Sequence, residues 1–455
     1  MRGSTLPQGW IEAPLSEYVM NRDGARVPIS SKERAKRQGG YPYYGATGKI
    51  DSLDSYTHEG VNILIGEDGA NLLSRSKPTA FIAEGKYWVN NHAHVVGCFG
   101  GCSASYFNYY FNSLDLSAWV SGSAQPKLNQ KNLGTIPVKV PPLNEQTRIA
   151  NKLDELLAQV DTIKARVDAI PAILKRFRQS VLAAAVSGKL TEGGAVSWPI
   201  KPVSELVKVL NGKAFPSKDY QDSGARLLRP GNLHVSGAVV WTEKNTTYIP
   251  ESWLEKRPEL ILSEGSLLMN LTAQSLKDEF LGRVCVLGTE EDVLLNQRIC
   301  SFQSELDYDV KPFLYIYFKS PQFRSFVATL DSGSLIKHLN VKDVKAHEIR
   351  LPPESEQAQI VQRVEQLFAF ADQVEQRVAD AQSRIESLTQ SILAKAFRGE
   401  LVPQDPNDEP ASELLARIQK EREEAAAFLK ETKKAAKKTA KKPAGKARAK
   451  KVASE

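Results

Sequence analysis

Cysteine and long apolar runs are what this chain has least of. Four cysteines, Cys98, Cys102, Cys285 and Cys300, are spread over 455 residues. So thin a supply excludes a disulfide-built fold and points to free thiols in a reducing compartment. No run of about 18 apolar residues exists to span a membrane as a helix. The opening residues, MRGSTLPQGW, lack the apolar stretch of a secretory signal. Catalytic signatures are missing as well. Pro141-Pro142 and Pro352-Pro353 follow Val140 and Leu351, so neither completes the Asp/Asn-Pro-Pro-aromatic motif of adenine methyltransferases. CFGGC is a poor glycine loop for S-adenosylmethionine, and no G-x-x-x-x-G-K-[ST] phosphate loop occurs. These negatives favour a non-catalytic chain. His92, His94, Cys98 and Cys102 invite a zinc reading, but structural sites bring paired cysteines from two places. Here all four lie in one β-type run, which reads as buried thiols and hydrogen-bonded histidines, with no metal.

What is present is ordinary for a soluble protein: 42% hydrophobic and 25% charged residues, in a length that suits about two to four domains. The net charge of +7 is misleading. Residues 430–451 carry eleven Lys or Arg against one Glu, which leaves the remainder at −3. A nucleic-acid partner would therefore have to be met by local basic patches and not by a global field. The tail itself has no apolar seam and reads as disordered. It is either a solvated solubility tail or a non-specific attractor of DNA phosphates.

The strongest feature is an internal repeat. At a constant offset of 211, the chain aligns with itself without a gap from Val140/Leu351 to Thr191/Val402. Identical pairs include Pro141/Pro352, Pro142/Pro353, Glu145/Glu356, Gln146/Gln357, Ile149/Ile360, Leu156/Leu367, Gly188/Gly399 and Leu190/Leu401. Two prolines mark a helix start, because neither fits a helix interior. Asn144 and Ser355 suit the N-cap, and Glu145 and Glu356 place negative charge in the first turn. Gly188 and Gly399 suit a left-handed C-terminal cap. Each helix then runs about 43 residues, roughly 65 Å. In the first copy Ile149, Leu153, Leu156, Val160, Ile163, Val167, Ile170, Leu174, Phe177 and Val181 recur at steps of 4 and 3. The second repeats this with Ile360, Val364, Leu367, Ala371, Val374, Val378, Ala381, Ile385, Leu388 and Ile392. That spacing is a coiled-coil seam. Pro171 predicts a local kink or break in the first copy, where the second has Gln382.

A narrow seam must be covered by a partner. Either each helix meets a different protein, or each covers the other. The segment between them, about 160 residues, suits one domain, and domain termini are often close together. The second helix then starts near where the first stops, and the pair is antiparallel. The flanks repeat more loosely: GWIEAPLSEYV (9–19) resembles SWPIKPVSELV (197–207), and SGSAQPKLNQKNL (121–133) resembles SGSLIKHLNVKDV (332–344). The interiors, 20–120 and 208–331, share little, and both show short β-type runs broken by Gly, Asn, Pro and Asp. A shared frame with different filling suggests one task done twice on different targets.

This layout, with SILAKAFRGELVPQDP, LLAQVD, KARV, ILKRFRQSVL and SGKLTE, resembles the specificity subunit of type I restriction-modification systems over nearly the whole chain. The resemblance implies an α+β fold, with two target recognition domains separated by two long helices in an antiparallel coiled coil of pseudo-two-fold symmetry. Residues 1–139 and 192–350 would be the recognition domains, and 140–191 and 351–402 the spacer helices. Residues 403–430 would form a C-terminal helix, and 431–455 the basic disordered tail. Each domain would read one half of a split double-stranded DNA target. The helices would set the spacing and dock two methyltransferase subunits, with two motor-nuclease subunits completing the enzyme. The resemblance implies no cofactor in this chain; S-adenosylmethionine, ATP and Mg are expected in the partners, and the setting is cytoplasmic. The rival readings are a coiled-coil scaffold without DNA readout and a self-contained methyltransferase or nuclease.

Arg suits guanine, Asn and Gln suit adenine, and Lys suits phosphates. The DNA-facing candidates in the first domain are Tyr43, Tyr44, Gly45, Thr47, Lys49, Asn91, His92 and Lys127. In the second they are Arg229, Asn232, Gln274, Asn296, Gln297, Arg298, Lys337 and His338. The expected methyltransferase-docking residues are Arg148, Lys152, Asp154, Glu155, Gln359 and Arg363. Leu414, Leu415, Ile418 and Phe428 form a partial stripe on the further helix, which docks either a methyltransferase subunit or the chain's own coil.

Overall fold

The computed structural model describes residues 6–98, 102–122, 124–192, 197–276, 278–289, 291–330 and 336–440. The chain forms two compact units. One combines the residues up to 165 with those from 382 onward, and the other holds 166–381. Each long helix therefore contributes to both.

These helices are α1 (Leu143–Val186) and α2 (Glu354–Ala396). Each starts one residue earlier than the cap expected at Asn144 or Ser355. Pro142 and Pro353 accept the first helical bonds instead, from the backbone N–H of Gln146 and Gln357, at 2.9 Å each. Their ends follow the sequence: Gly188 and Gly399 sit at φ 71° and 74°. Lys189 and Glu400, one residue beyond, donate back to Ala184 and Lys395, the closing bond of a Schellman cap. No break occurs at Pro171, since α1 runs through it as one helix.

In the first unit, Ile149, Leu153 and Val160 of α1 share a core with Ile392 and Ala396 of α2. In the second, Val181, Leu182, Ala185 and Val186 of α1 share a core with Ile360 and Val364 of α2. Start meets end in both, so the pairing is antiparallel. The seam slips at one step on each helix, where Ile163 and Leu388 are 48% and 47% exposed.

The repeated residues of each helix start bolt the helix to its own domain. Trp10 Nε1 donates to Glu145 Oε2 at 3.0 Å, and Trp198 Nε1 donates to Glu356 Oε2 at 3.0 Å. The side chains of Gln146 and Gln357 donate to the carbonyls of Pro141 and Pro352, at 2.9 and 2.8 Å. Each also meets a tyrosine: Tyr18 donates to Gln146 at 2.8 Å, and Gln357 donates to the Tyr308 hydroxyl at 2.9 Å. The looser flanking repeat closes each domain. Ile11–Pro14 pairs antiparallel with Pro137–Val140, and Ile200–Pro202 with Glu348–Arg350.

The interiors, so unlike in sequence, are built to one plan. The first has strands β1 (Val19–Asn21), β2 (Gln38–Gly45), β3 (Gly48–Leu53), β4 (His58–Glu59), β5 (Asn62–Gly66), β6 (Ala80–Ala83), β7 (Lys86–Val89) and β8 (Ala93–Cys98). They form two sheets, ordered 1-8-5-6 and 3-2-7-4. The second has β9 (Val207–Asn211), β10 (Ala225–Leu228), β11 (Tyr248–Ile249), β12 (Ile261–Leu262), β13 (Leu267–Asn270), β14 (Val284–Val286), β15 (Val293–Leu295) and β16 (Ile299–Ser304). Their orders are 9-16-13-14 and 11-10-15-12, the same plan shifted by eight. Even the parallel pairs correspond, β2 with β7 and β10 with β15. Helices Ala104–Ser113 and Lys311–Lys319 pack into the respective cores, which makes each interior α+β.

Two expectations are corrected. Cys98 and Cys102 form a disulfide, with Cα atoms 5.4 Å apart, and only Cys285 and Cys300 are free, both buried. Four residues of separation bring the two thiols together locally, a closure that counting cysteines cannot reveal. The last helix, α3 (Ala411–Ala440), begins after Pro410 and runs ten residues past the expected end at 430, into the tail expected to be disordered. Ala and Lys are good helix formers even without an apolar seam. Residues 441–455 of that tail lie outside the described residues, as does the side chain of Phe428.

Candidate nucleic-acid interface

In the first unit, one end of the sheets gathers four loops. At the end of β7, Asn90 donates its backbone N–H to Tyr44 O at 3.1 Å. Its buried side-chain oxygen accepts the His92 N–H at 2.8 Å. That turn leaves Asn91 and His92 exposed at the tip. His92 O accepts from Glu67 N at 2.8 Å, and Glu67 O accepts from Leu128 N at 2.8 Å. The β2–β3 turn comes close because position 66 is glycine: a Cβ there would lie 2.9 Å from Ala46 O. Thr47 and Lys49 are exposed on that turn. Lys127 bridges to Asp68 through the backbone.

The second unit repeats the three backbone bonds of this wiring, while its buried Asn side chain meets the next N–H instead of the second one on. Asn296 N donates to Leu228 O at 3.3 Å, Arg298 O accepts from Leu271 N at 2.8 Å, and Leu271 O accepts from Leu339 N at 2.9 Å. The buried Asn296 side chain accepts the Gln297 N–H at 2.8 Å. Gln297 and Arg298 are the exposed tip. Thr272 pairs with His338, and Ala273 with Lys337. The equivalent positions are thus Asn90/Asn296, His92/Arg298, Glu67/Leu271, Asp68/Thr272 and Lys127/His338. Gly45, which follows Tyr44, corresponds to Arg229, which follows Leu228.

The first face rests on a buried ionic network. His94, 1% exposed, sets Nδ1 2.6 Å from Asp23 and Nε2 2.7 Å from Leu128 O. The carbonyl can only accept, so Nε2 is the donor in that bond. Arg26 meets Glu67 at 2.6 Å and Asp23 at 3.3 Å, and Lys127 meets Glu67 at 3.2 Å. Burial pushes the Asp23 carboxyl up, but bonds from His94, Asn21 and Val95 outweigh it and hold the group below its usual range. Glu67 is likewise held low: burial opposes, while Arg26, His94 and Lys127 prevail. In the second domain Cys300 stands in the place of His94, since each pairs with the penultimate residue of the neighbouring strand, Met269 or Ile65.

The structure sorts the candidates. Thr47, Lys49, Asn91, His92 and Lys127 share the first face, and Gln274, Gln297, Arg298 and His338 are exposed on the second, with Lys337 half-buried beside them. Arg229 is exposed beside Thr247 at 3.2 Å and over the Tyr220 ring. Burial takes four candidates off the surface. Tyr43, 1% exposed, accepts from Ile29 N. Gly45 is closed in by Ile50 and Asn90. Asn232 and Asn296 hold their own loops. A fifth, Tyr44, is half-buried and packs on Phe81 and Tyr87. Apart from Gly45, these side chains are polar or aromatic by type, but they are needed where the backbone turns. Asp68, whose carboxylate lies 2.8 Å from His92 Nδ1, was missed, as were Glu67 and Asn90. A signal was available: VNNHA and LNQRI each place Asn directly after an apolar run.

His92, His94, Cys98 and Cys102 are engaged with Asp68, Asp23 and each other rather than converging, and no candidate metal cluster occurs among the described residues. The expected docking face is partly used within its own unit: Arg148 pairs with Asp408 at 2.6 Å, and Asp154 accepts the Tyr109 hydroxyl. Lys152 and Glu155 pair with each other at 2.8 Å. Gln359 and Arg363 are exposed. Of the two readings of the last helix, packing on the chain itself is observed: Ala411, Leu414 and Ile418 are fully buried in the first core.

Two domains on one plan, each with an exposed loop face and each gripping both repeat helices, define a tandem recognition protein. The family described as type I restriction modification DNA specificity domain matches residues 9–172 and again 195–380. The specificity subunit of type I restriction enzyme EcoKI from Escherichia coli K12 is 36% identical, over 93% of this chain and 97% of that protein. The StySPI specificity subunit of Salmonella potsdam is 33% identical over the same shares. Among solved structures, the HsdS subunit from Thermoanaerobacter tengcongensis superimposes with a TM-score of 0.57 at 16% identity, covering 88% of this chain and 99% of that one. A chain from a type I R-M system solved for its assembly and conformational transition gives 0.63 at 16% identity, covering 88% and 100%. The chain belongs to the type I restriction-modification DNA specificity family.

Proposed function

We propose that the two loop faces each read one half of a bipartite, asymmetric double-stranded DNA target, while the paired helices set the spacer between the halves. The family role is DNA sequence specificity, carried by a subunit that is not itself catalytic. The observation that carries the finer reading is the repetition of the three backbone bonds of the loop frame with different exposed residues upon it: Asn91, His92 and Lys127 on one face, Gln297, Arg298 and His338 on the other. One frame with two side-chain sets is what two different half-sites require. The complex formed would contain two modification subunits, which hold S-adenosylmethionine and methylate adenine, and two restriction subunits, which use ATP and Mg. The helix faces around Lys152, Glu155, Gln359 and Arg363 would dock the modification subunits. Such a complex works on cellular DNA in the cytoplasm. No helix among the described residues is long and apolar enough to cross a membrane.

Single-molecule sequencing of adenine methylation, in a host carrying the complete system, tests this. A split motif with two defined halves is expected. A contiguous motif, or none, would overturn the reading. The spacer role has its own test. Seven residues added at matched steps of both helices keep the seam in phase and lengthen each by about 10 Å, roughly three base pairs. The preferred spacer should grow accordingly, and an unchanged spacer in a folded variant refutes the ruler.

A further inference from the structure

The three-bond backbone frame shared by the domains singles out one exposed position, occupied by His92 in the first and Arg298 in the second. In both, the backbone is held on each side. The preceding buried Asn fixes the turn, and the residue's own carbonyl accepts from the neighbouring loop at 2.8 Å. The side chain alone is free to vary. Arg298 differs from its neighbours in backbone conformation as well, sitting at φ 72°, a left-handed conformation that residues other than glycine and asparagine rarely adopt. Its guanidinium is exposed and has no hydrogen-bond or ion-pair partner among the described residues. A strained backbone at an exposed tip, carrying an unengaged cationic fork, is the pattern of a residue placed for a ligand. His92 is placed differently. Asp68 receives its Nδ1–H, so only Nε2 remains to make a contact.

We propose that this position is the chief base-reading position of both domains. Arg298 reads a guanine through its O6 and N7, and His92, positioned by Asp68, makes a single contact through Nε2. The chemistry follows from the groove edges. A guanidinium can donate two parallel bonds to guanine and to no other base, whereas one imidazole nitrogen makes one bond and discriminates less. The inference deepens the DNA-reading function and rests on it.

The test uses the complex assembled with its modification subunits and a DNA library randomised through both half-sites, with methylated adenines read by sequencing. The variants are Arg298→Gly, Arg298→Lys and Asp68→Asn. Glycine accepts φ 72° without strain, so Arg298→Gly should fold at least as well as the parent. It should lose discrimination on the order of 10- to 100-fold at one guanine of one half-site, leaving the other half unchanged. Arg298→Lys, which keeps the charge but not the fork, should lose most of the same preference. Asp68→Asn should relax one position of the opposite half-site by a smaller factor. If the parent shows a split motif but Arg298→Gly weakens all sequences equally, the position is a phosphate contact and the proposal fails while the DNA-reading function stands. If the affected base is not guanine, the proposal fails in the same way. If the parent shows no split motif, the underlying function fails first.

Discussion

Glu145 separates two explanations of why the helix start is repeated. As a first-turn carboxylate it would be worth about 0.3–1 kcal/mol against the helix dipole. The structure gives it a second task. It is 1% exposed, and Oε2 accepts the indole N–H of Trp10, itself 5% exposed, at 3.0 Å. A hydrogen bond to a charged group contributes about 1.5–3 kcal/mol, and a buried donor left alone costs about 1–3. Glu145→Ala should therefore lose about 2–3 kcal/mol. Glu145→Gln retains an acceptor oxygen and should stay within about 1 kcal/mol of the parent, because it loses only the dipole charge and escapes burial of a carboxylate. Burial indeed pushes the Glu145 carboxyl up, against the opposing pull of Trp10 and Arg148. The sign of the pH effect follows. A raised carboxyl contributes stability that is complete below the ordinary glutamate range and lost as pH rises through its folded value. Lowering the pH toward that range should thus favour the parent over the Gln variant. Denaturant unfolding followed by tryptophan emission measures both differences. Equal losses for Ala and Gln would refute the acceptor role and restore the dipole explanation.

Three further outcomes are expected. Asp23, 7% exposed on its side chain and shared by His94 and Arg26, is held low, so its contribution is present above the ordinary aspartate range and lost as pH falls through the folded value. Asp23→Asn should cost about 3 kcal/mol at neutral pH and remove part of the acid transition seen by circular dichroism; an unaltered acid transition would count against the network. Alkylation under denaturing conditions without reductant should label two thiols, Cys285 and Cys300, and four after reduction; four at the outset would show Cys98 and Cys102 to be unpaired. Leu414→Ala, at a fully buried contact of α3, should destabilise the first unit by about 2–5 kcal/mol; hydrogen exchange that is equally faster in both units, or unchanged, would contradict that packing.

The helices were legible in the sequence because their information is local and periodic: a seam at steps of 4 and 3, prolines before and glycine after. Their direction also followed, since one domain had to fit between them. The interiors were not legible as a pair. Strand order depends on which apolar runs meet, as β2 meets β7 across some forty residues, and two dissimilar sequences reach the same order by burying different side chains. Exposure of the candidates was legible by loop but not by residue. Asn296 and Gln297 are neighbours of similar chemistry, yet one is 5% exposed and the other stands at the surface. Only the bond from Asn296 to the next backbone N–H separates them. The disulfide escaped because composition argues from compartment, while pairing depends on how close two particular thiols are brought, here with Cα atoms 5.4 Å apart.

The repeat itself now divides by task. Residues identical in both copies include the paired prolines, Glu145/Glu356 and Gln146/Gln357, which seat each helix on its domain, and the glycines that cap its end. Residues that differ at equivalent places, His92/Arg298, Lys127/His338 and Asp68/Thr272, stand on the exposed loops. Changing an exposed residue disturbs no bond of the frame, because the frame is made of backbone groups and buried asparagines. On the proposed reading, a protein so divided can acquire a new half-site in one domain without altering the other or the helices between.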